Sequence, residues 1–137
     1  MFSRVSYAQL NSRQKENYNF QKVAARLADY GFNCIRLTDD WQGADFIAIH
    51  IDGETFLKVQ LKGRLVIDRK YQGKGIHIAF LHGTDLYLYD HDALVSFMEA
   101  NAKIGADSVS WHQHGFRTWP SLPVWAITYL NDFRISQ

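Results

Sequence analysis

The stretch GADFIAIHIDGETFLKVQLK, residues 43–62, constrains the fold more than any other part of the chain. Two runs rich in β-branched and aromatic residues, 45–51 and 55–62, flank Asp52-Gly53. That dipeptide is a strong two-residue hairpin signal, because a type I′ turn needs positive φ at both central positions. Both faces of the hairpin are largely apolar. It is therefore expected inside a sheet with cover on both sides.

The turn sets a register. With Asp52 and Gly53 central, Ile49 faces Phe56, Ile47 faces Lys58 and Asp45 faces Gln60. Directly opposed residues share one face, with Cβ atoms about 4.5–5.5 Å apart. Lys62 lies two further along and points the same way. Unless a bulge intervenes, a carboxylate, an amide and an ammonium meet on one surface. A divalent cation such as Mg²⁺ takes oxygen ligands and keeps several waters. Asp45 offers a carboxylate, Gln60 an amide oxygen, and the Leu61 carbonyl is close by. Lys62 can orient an attacking water and offset charge on a phosphate.

The remaining pattern predicts one α/β domain over residues 1–137, a length suited to a single core. A helix is expected over 12–30, capped by Asn11 or Ser12 and stopped at Gly31. Its apolar stripe runs through Phe20, Val23, Ala24 and Leu27, and continued backwards it lands on Glu16. Two readings of Glu16 stand: an inward carboxylate at a helix start, where the dipole favours it, or a side chain at a frayed end reaching solvent. A strand over 32–37 and a loop over 38–44 precede the hairpin. A second strand pair follows at 76–81 and 86–89, then a helix from 90 or 91 to 102. A short strand at 108–111 and a last helix over 121–133, with Pro123 in its first turn, complete the chain.

From here the layout resembles a known family. A helix with an acid near its start, an Asp at a strand start, a hairpin, and then acid-or-Gln, any residue, Lys is similar to the PD-(D/E)XK nuclease superfamily. The segments KENYNFQKVAARLADYGF, GADFIAIH and FLKVQLKGR are similar in layout to the archaeal Holliday-junction resolvases. This covers residues 15–64. Beyond it, RKYQGKGIHIAF and LYLYDHDALV resemble a small branch of the same nuclease-like domains.

The resemblance implies a restriction-endonuclease-like mixed sheet flanked by helices. It implies metal-dependent phosphodiester hydrolysis of nucleic acid, DNA before RNA. Asp45 matches the motif aspartate and would ligate Mg²⁺ or Mn²⁺ with Gln60 and the Leu61 carbonyl. Lys62 matches the motif lysine, and Glu16 the helix acid that assists a water or second metal in some members. Two departures exist: Ala44 precedes Asp45 where a proline is common, and Gln60 stands where Glu or Asp is usual. A neutral amide binds Mg²⁺ less well than a carboxylate. The second function class is therefore a catalytically weak or inactive module on the same scaffold that binds nucleic acid or a protein.

Charge distribution has two readings as well. The formal net charge is +1, which selects no partner, but Lys58, Lys62, Arg64, Arg69, Lys70 and Lys74 crowd one segment against a single acid, Asp68. Of these, Lys58, Arg64, Arg69, Lys70 and Lys74 are candidate phosphate contacts; a solvated loop face is the alternative. The pair His112 and His114 lacks a third ligand in the sequence pattern, so a surface role is expected. Trp111, Phe116, Trp119 and Trp125 offer a base-stacking platform, a core or a dimer interface. The one cysteine, Cys34, permits no internal disulfide and is expected to pack. No apolar run approaches membrane-spanning length, so a cytoplasmic protein without membrane contact is expected. Cutting both strands of a duplex would call for a homodimer.

Overall fold

A computed structural model describes residues 1–105 and 108–136. Helix α1 spans Ser12–Ala28 and is followed by β1 (Phe32–Trp41), β2 (Ala44–His50), β3 (Phe56–Lys62) and β4 (Leu65–Asp68). A 3₁₀ turn at Arg69–Tyr71 leads to β5 (Ile76–His82), β6 (Asp85–Asp90) and α2 (His91–Ala100). The chain ends with α3 (Val109–His112), β7 (Phe116–Trp119), α4 (Val124–Leu130) and β8 (Arg134–Ile135). Six strands form a mixed sheet in the order β1-β2-β3-β5-β6-β8, and β4 pairs with β7 in a separate ribbon. Only β3 and β5 run parallel. The chain is thus α/β, as the sequence predicts.

Both faces of the sheet are covered, each by its own apolar layer. On one face Val23 and Leu27 of α1 pack on Phe46, Ala48, Val59, Ala79 and Leu88. Of these, each Val, Leu or Phe side chain contributes about 1.5–3 kcal/mol on burial. On the other face Ile47, Ile76, Ile78, Phe80 and Tyr89 meet the β4–β7 ribbon, α2 and α4. The connection from β3 to its parallel neighbour β5 passes over this second face. His91 pins it there: fully buried, its Nε2 accepts from the Asp68 N–H at 2.9 Å, so Nδ1 carries the proton toward Asp92 at 3.0 Å. Asp92 in turn accepts from Gly73 N at 2.8 Å.

The helix start is as predicted. The Asn11 side chain accepts from Gln14 N, and Gln14 reaches back to Asn11 N, a reciprocal cap. Gly31 follows at φ +86°. Cys34 packs against the α1-side core, and burial pushes its thiol up to about 11. Trp111 and Trp119 are buried and Trp125 packs beside them, whereas Phe116 is exposed.

Four expectations are corrected. Asp52-Gly53 does not form a type I′ turn: only Gly53 has positive φ. The Asp52 carboxylate instead accepts from Glu54 N, Thr55 N and Thr55 Oγ1, which closes a wider turn over residues 51–54. The two-residue turn lies at Gln42-Gly43, where φ is +53° and +89° and Trp41 pairs with Ala44. The 38–44 segment, expected to be a loop, is therefore the continuation of β1 to Trp41 plus this turn. Its polar composition hid it, since an edge strand need not be apolar. Residues 109–112 form a helical turn, not a strand. The last helix is only Val124–Leu130, because Pro123 is its N-cap and not its first-turn residue.

Gly43 and Gly53 both sit at positive φ but differ in surroundings. A Cβ on Gly43 would lie 3.0 Å from the buried Tyr71 ring, whereas one on Gly53 meets nothing within 4 Å. Gly53→Ala should cost about 1 kcal/mol of stability from conformation alone. Gly43→Ala should cost about 2–3 kcal/mol because packing adds to strain. Urea unfolding with an unchanged m-value reads the difference; equal midpoints would refute the packing contribution.

Candidate active site

The hairpin register agrees with expectation over the ladder that forms. Phe46 pairs with Val59, Ile47 with Lys58, Ala48 with Leu57 and Ile49 with Phe56. Alternation then puts Asp45, Gln60 and Lys62 on the face shared by Ile47 and Lys58. The ladder stops one pair short of Asp45 and Gln60, because the Gln42-Gly43 turn draws the start of β2 toward β1. The next donor on β3, the Leu61 N–H, goes to the Asp45 carboxylate at 2.8 Å. Beyond that point β3 continues beside β5, with Gln60 paired to Ile78 and Lys62 to Phe80.

A cleft of about 1060 Å³ opens at this end of the sheet. Glu16, Asp45, Gln60, Leu61 and Lys62 all line it. Glu16 is solvent-exposed on α1, which fits the reading that it reaches solvent and not that of an inward carboxylate, although it lines the edge of the cleft. Asp45, Gln60 and Lys62 are half-buried. Burial raises the Asp45 carboxyl above its ordinary range, opposed by the Leu61 hydrogen bond, while Asp40 adds to the rise and Lys62 and Arg36 oppose it. Burial likewise lowers the Lys62 ammonium; Lys70 lowers it further, and Asp68, Asp45 and Asp40 raise it. The Lys62 Nζ stands 5.5 Å from the centroid of the Tyr71 ring.

The donor set fits a hard cation. The Gln60 Oε1 is buried and accepts no hydrogen bond, while Nε2 makes only a long 3.4 Å contact to the Leu61 carbonyl. An orphaned acceptor beside a desolvated carboxylate is a place where positive charge is wanted. Asp45, Gln60 and the Leu61 carbonyl are the oxygen donors that would hold Mg²⁺ or Mn²⁺. Among the described residues no three of His, Cys, Asp or Glu gather at one point. The set therefore relies on an amide and a carbonyl besides its single carboxylate.

The basic segment is not at the cleft, apart from Lys62. Lys58 donates to Gln42 Oε1 at 3.0 Å and lies over Trp41. Arg69 donates to the Trp111 carbonyl at 2.6 Å and stacks on that ring, so it holds α3. Lys70 faces Asp68 at 3.7 Å. Arg64 and Lys74 are exposed outside the cleft lining. The cations that do line it are Arg13, Arg36 and Lys62, against Glu16, Asp39, Asp40 and Asp45. Arg36 is held by Asn17 Oδ1 and lies over Phe20. Asp40 accepts from Gly43 N at 2.7 Å, which ties it to the turn. Asp40 is not legible in the sequence because its place depends on β1 reaching Trp41; Arg36 lies in the expected strand, but its turn toward the cleft is a tertiary fact. His112 ends a helical turn with Nε2 2.9 Å from the Gly105 carbonyl, so the His112/His114 pair does not lie on a strand. Comparison of the chain with protein-family models, curated proteins and solved structures gives no match.

The Asp45 shift has a sign that stability measurements can check. A carboxyl raised by folding favours the folded state when protonated, below its unfolded value, and that contribution is lost as pH rises through the folded value. Asp45→Asn mimics the protonated form and keeps an acceptor for Leu61 N–H. It should unfold at higher urea than the wild type at pH 7, with the two converging as pH falls below the ordinary carboxylate range. A variant less stable at pH 7 would contradict the burial account.

Proposed function

We propose that this chain hydrolyses phosphodiester bonds in nucleic acid, DNA before RNA, on a restriction-endonuclease-like scaffold. The observation that carries this reading is the convergence of Glu16, Asp45, Gln60, the Leu61 carbonyl and Lys62 on one open cleft. The cleft's own charges support a need for a cation. Its carboxylates outnumber its cations by one, so a bound cation would strengthen its pull on a polyanion. Asp45, Gln60 and the Leu61 carbonyl would hold Mg²⁺ or Mn²⁺, which would supply Lewis-acid stabilisation of the phosphoryl oxygens. Lys62, on the same face as Asp45, orients the attacking water and offsets charge as it develops. Burial lowers the proton affinity of its ammonium. Glu16 assists through water from α1. Arg13 and Arg36 contact the phosphates flanking the cut. A cut through both strands takes two such sites, hence a homodimer.

One observation favours a second reading, a binding module without chemistry. Gln60 supplies an amide where a second carboxylate would tighten the site, and no acid cluster compensates among the described residues. Arg13, Arg36 and Lys62 would still meet phosphate.

The two readings separate in one experiment. Plasmid, single-stranded DNA and RNA are incubated with the protein in Mg²⁺ or Mn²⁺. Cleavage is expected, with Asp45→Ala and Lys62→Ala each slowing it by at least about 100-fold. Gln60→Glu should raise the rate at limiting Mg²⁺. Binding without metal-dependent cleavage would support the module, and cleavage indifferent to Asp45 and Lys62 would overturn the proposed site.

A further inference from the structure

Residues 6–9 hold a defined turn without burying anything, and the turn has a visible result. A 3₁₀ turn at Tyr7–Gln9 is closed at its start: the Ser6 N–H donates to Gln9 Oε1 at 2.7 Å, and Ser6 Oγ accepts from the Ala8 N–H at 3.3 Å. A reciprocal cap, Asn11 with Gln14, follows at once. No residue of the first turn is buried. These caps cannot be stabilising a core. They hold Tyr7 against the start of α1.

Tyr7 and Tyr18 form an edge-to-face pair with centroids 5.2 Å apart, and both line the cleft that holds Asp45. They remain 43% and 40% exposed, which is high for rings already in contact with each other. Asn19 fixes the Tyr7 hydroxyl by donating to it at 3.1 Å. Each ring also carries an ammonium: Lys15 stands 5.3 Å from the Tyr7 centroid and Lys22 5.2 Å from that of Tyr18. Arg13 and Asn19 line the same wall, while Lys15 and Lys22 stand behind it, outside the cleft lining.

We infer that this wall takes unpaired nucleotides, so the substrate presents a single-stranded segment and not an uninterrupted duplex. This deepens the phosphodiesterase reading and rests on it. Aromatic faces alternating with cations match a single strand, whose bases stack on rings while its phosphates meet ammonium groups. A continuous duplex keeps its bases stacked on one another and offers nothing to a tyrosine face. Any base has a π-face, so this wall fixes strandedness and not sequence. Whether the sugar is deoxyribose or ribose is left to the two arms of the test.

The test is fluorescence anisotropy in EDTA, where no cleavage intrudes. The probes are a labelled 12-nucleotide single-stranded DNA, the RNA of the same sequence, and the blunt DNA duplex. Single strands should bind tighter than duplex. Tyr7→Ala and Tyr18→Ala should each weaken single-strand binding about tenfold and leave duplex binding unchanged, since stacking on one ring is worth about 1–3 kcal/mol. Tyr7→Phe and Tyr18→Phe should retain it. Equal binding by wild type and both Ala variants, a preference for duplex, or no binding of any probe would each overturn the inference. Unchanged thermal melting excludes misfolding as the cause of a loss. The parent reading fails differently: tyrosine-dependent strand binding with no metal-dependent cleavage would leave the wall standing without the chemistry. Asp45-dependent cleavage of duplex, indifferent to both tyrosines, would leave the chemistry without the wall.

Discussion

The site depends on one backbone donor. Strand β3 is antiparallel to β2 and parallel to β5, so it is needed on both sides along its whole length. The start of β2 is taken by the Gln42-Gly43 turn toward β1, which leaves the Leu61 N–H without its ladder partner. A buried N–H left unpaired costs about 1–3 kcal/mol. The Asp45 carboxylate meets it at 2.8 Å. Asp45 is thereby fixed at the point where two strands part, and the gap between them is the head of the cleft. Topology alone accounts for a carboxylate being held in this place.

The same placement makes the site electrostatically unsatisfied. Burial raises Asp45 and lowers Lys62, so each charge resists its own desolvation. Gln60 adds a buried acceptor with no donor. Such groups detract from stability, and their presence together is the usual mark of a site shaped for something other than folding. Nearby, Tyr71 and His91 build a firm floor: Tyr71 lies edge-on to His91 and beneath Lys62. Outside the cleft, among the described residues, the buried His77 Nδ1 is likewise without a partner.

Much of this could be seen in the sequence, and the rest could not for physical reasons. The helix cap at Asn11, the stripe through Val23 and Leu27, and the pairing of Ile47 with Lys58 follow from local patterns that the fold respects. The register survived a wrong turn type because the loop over 51–54 adds one residue on each side of the expected turn, so closure at His50 and Thr55 keeps the same pairing. Asp40 stayed hidden because residues 38–40 are polar and form an outer strand, where alternation of apolar residues is not required; Arg36 lay in the expected strand, and only its turn toward the cleft could not be read. Arg69 looked like a phosphate contact because charge in a sequence carries no direction. In the structure it turns away to hold Trp111. The shared cleft is a tertiary fact that no pattern of spacing along the chain specifies.

The sheet has unequal borders. On one side β8 contributes two residues; on the other β1 runs for ten, with its outward backbone row unpaired among the described residues. A long open border invites a foreign strand to dock, and charged side chains are the common deterrent. Here Arg36, Asp39 and Asp40 sit on that border beside exposed Ile35 and Trp41. Sentry duty and site duty thus fall on the same few ionic groups. Stripping them for mechanistic reasons would also disarm the border, and chains would begin to adhere to one another.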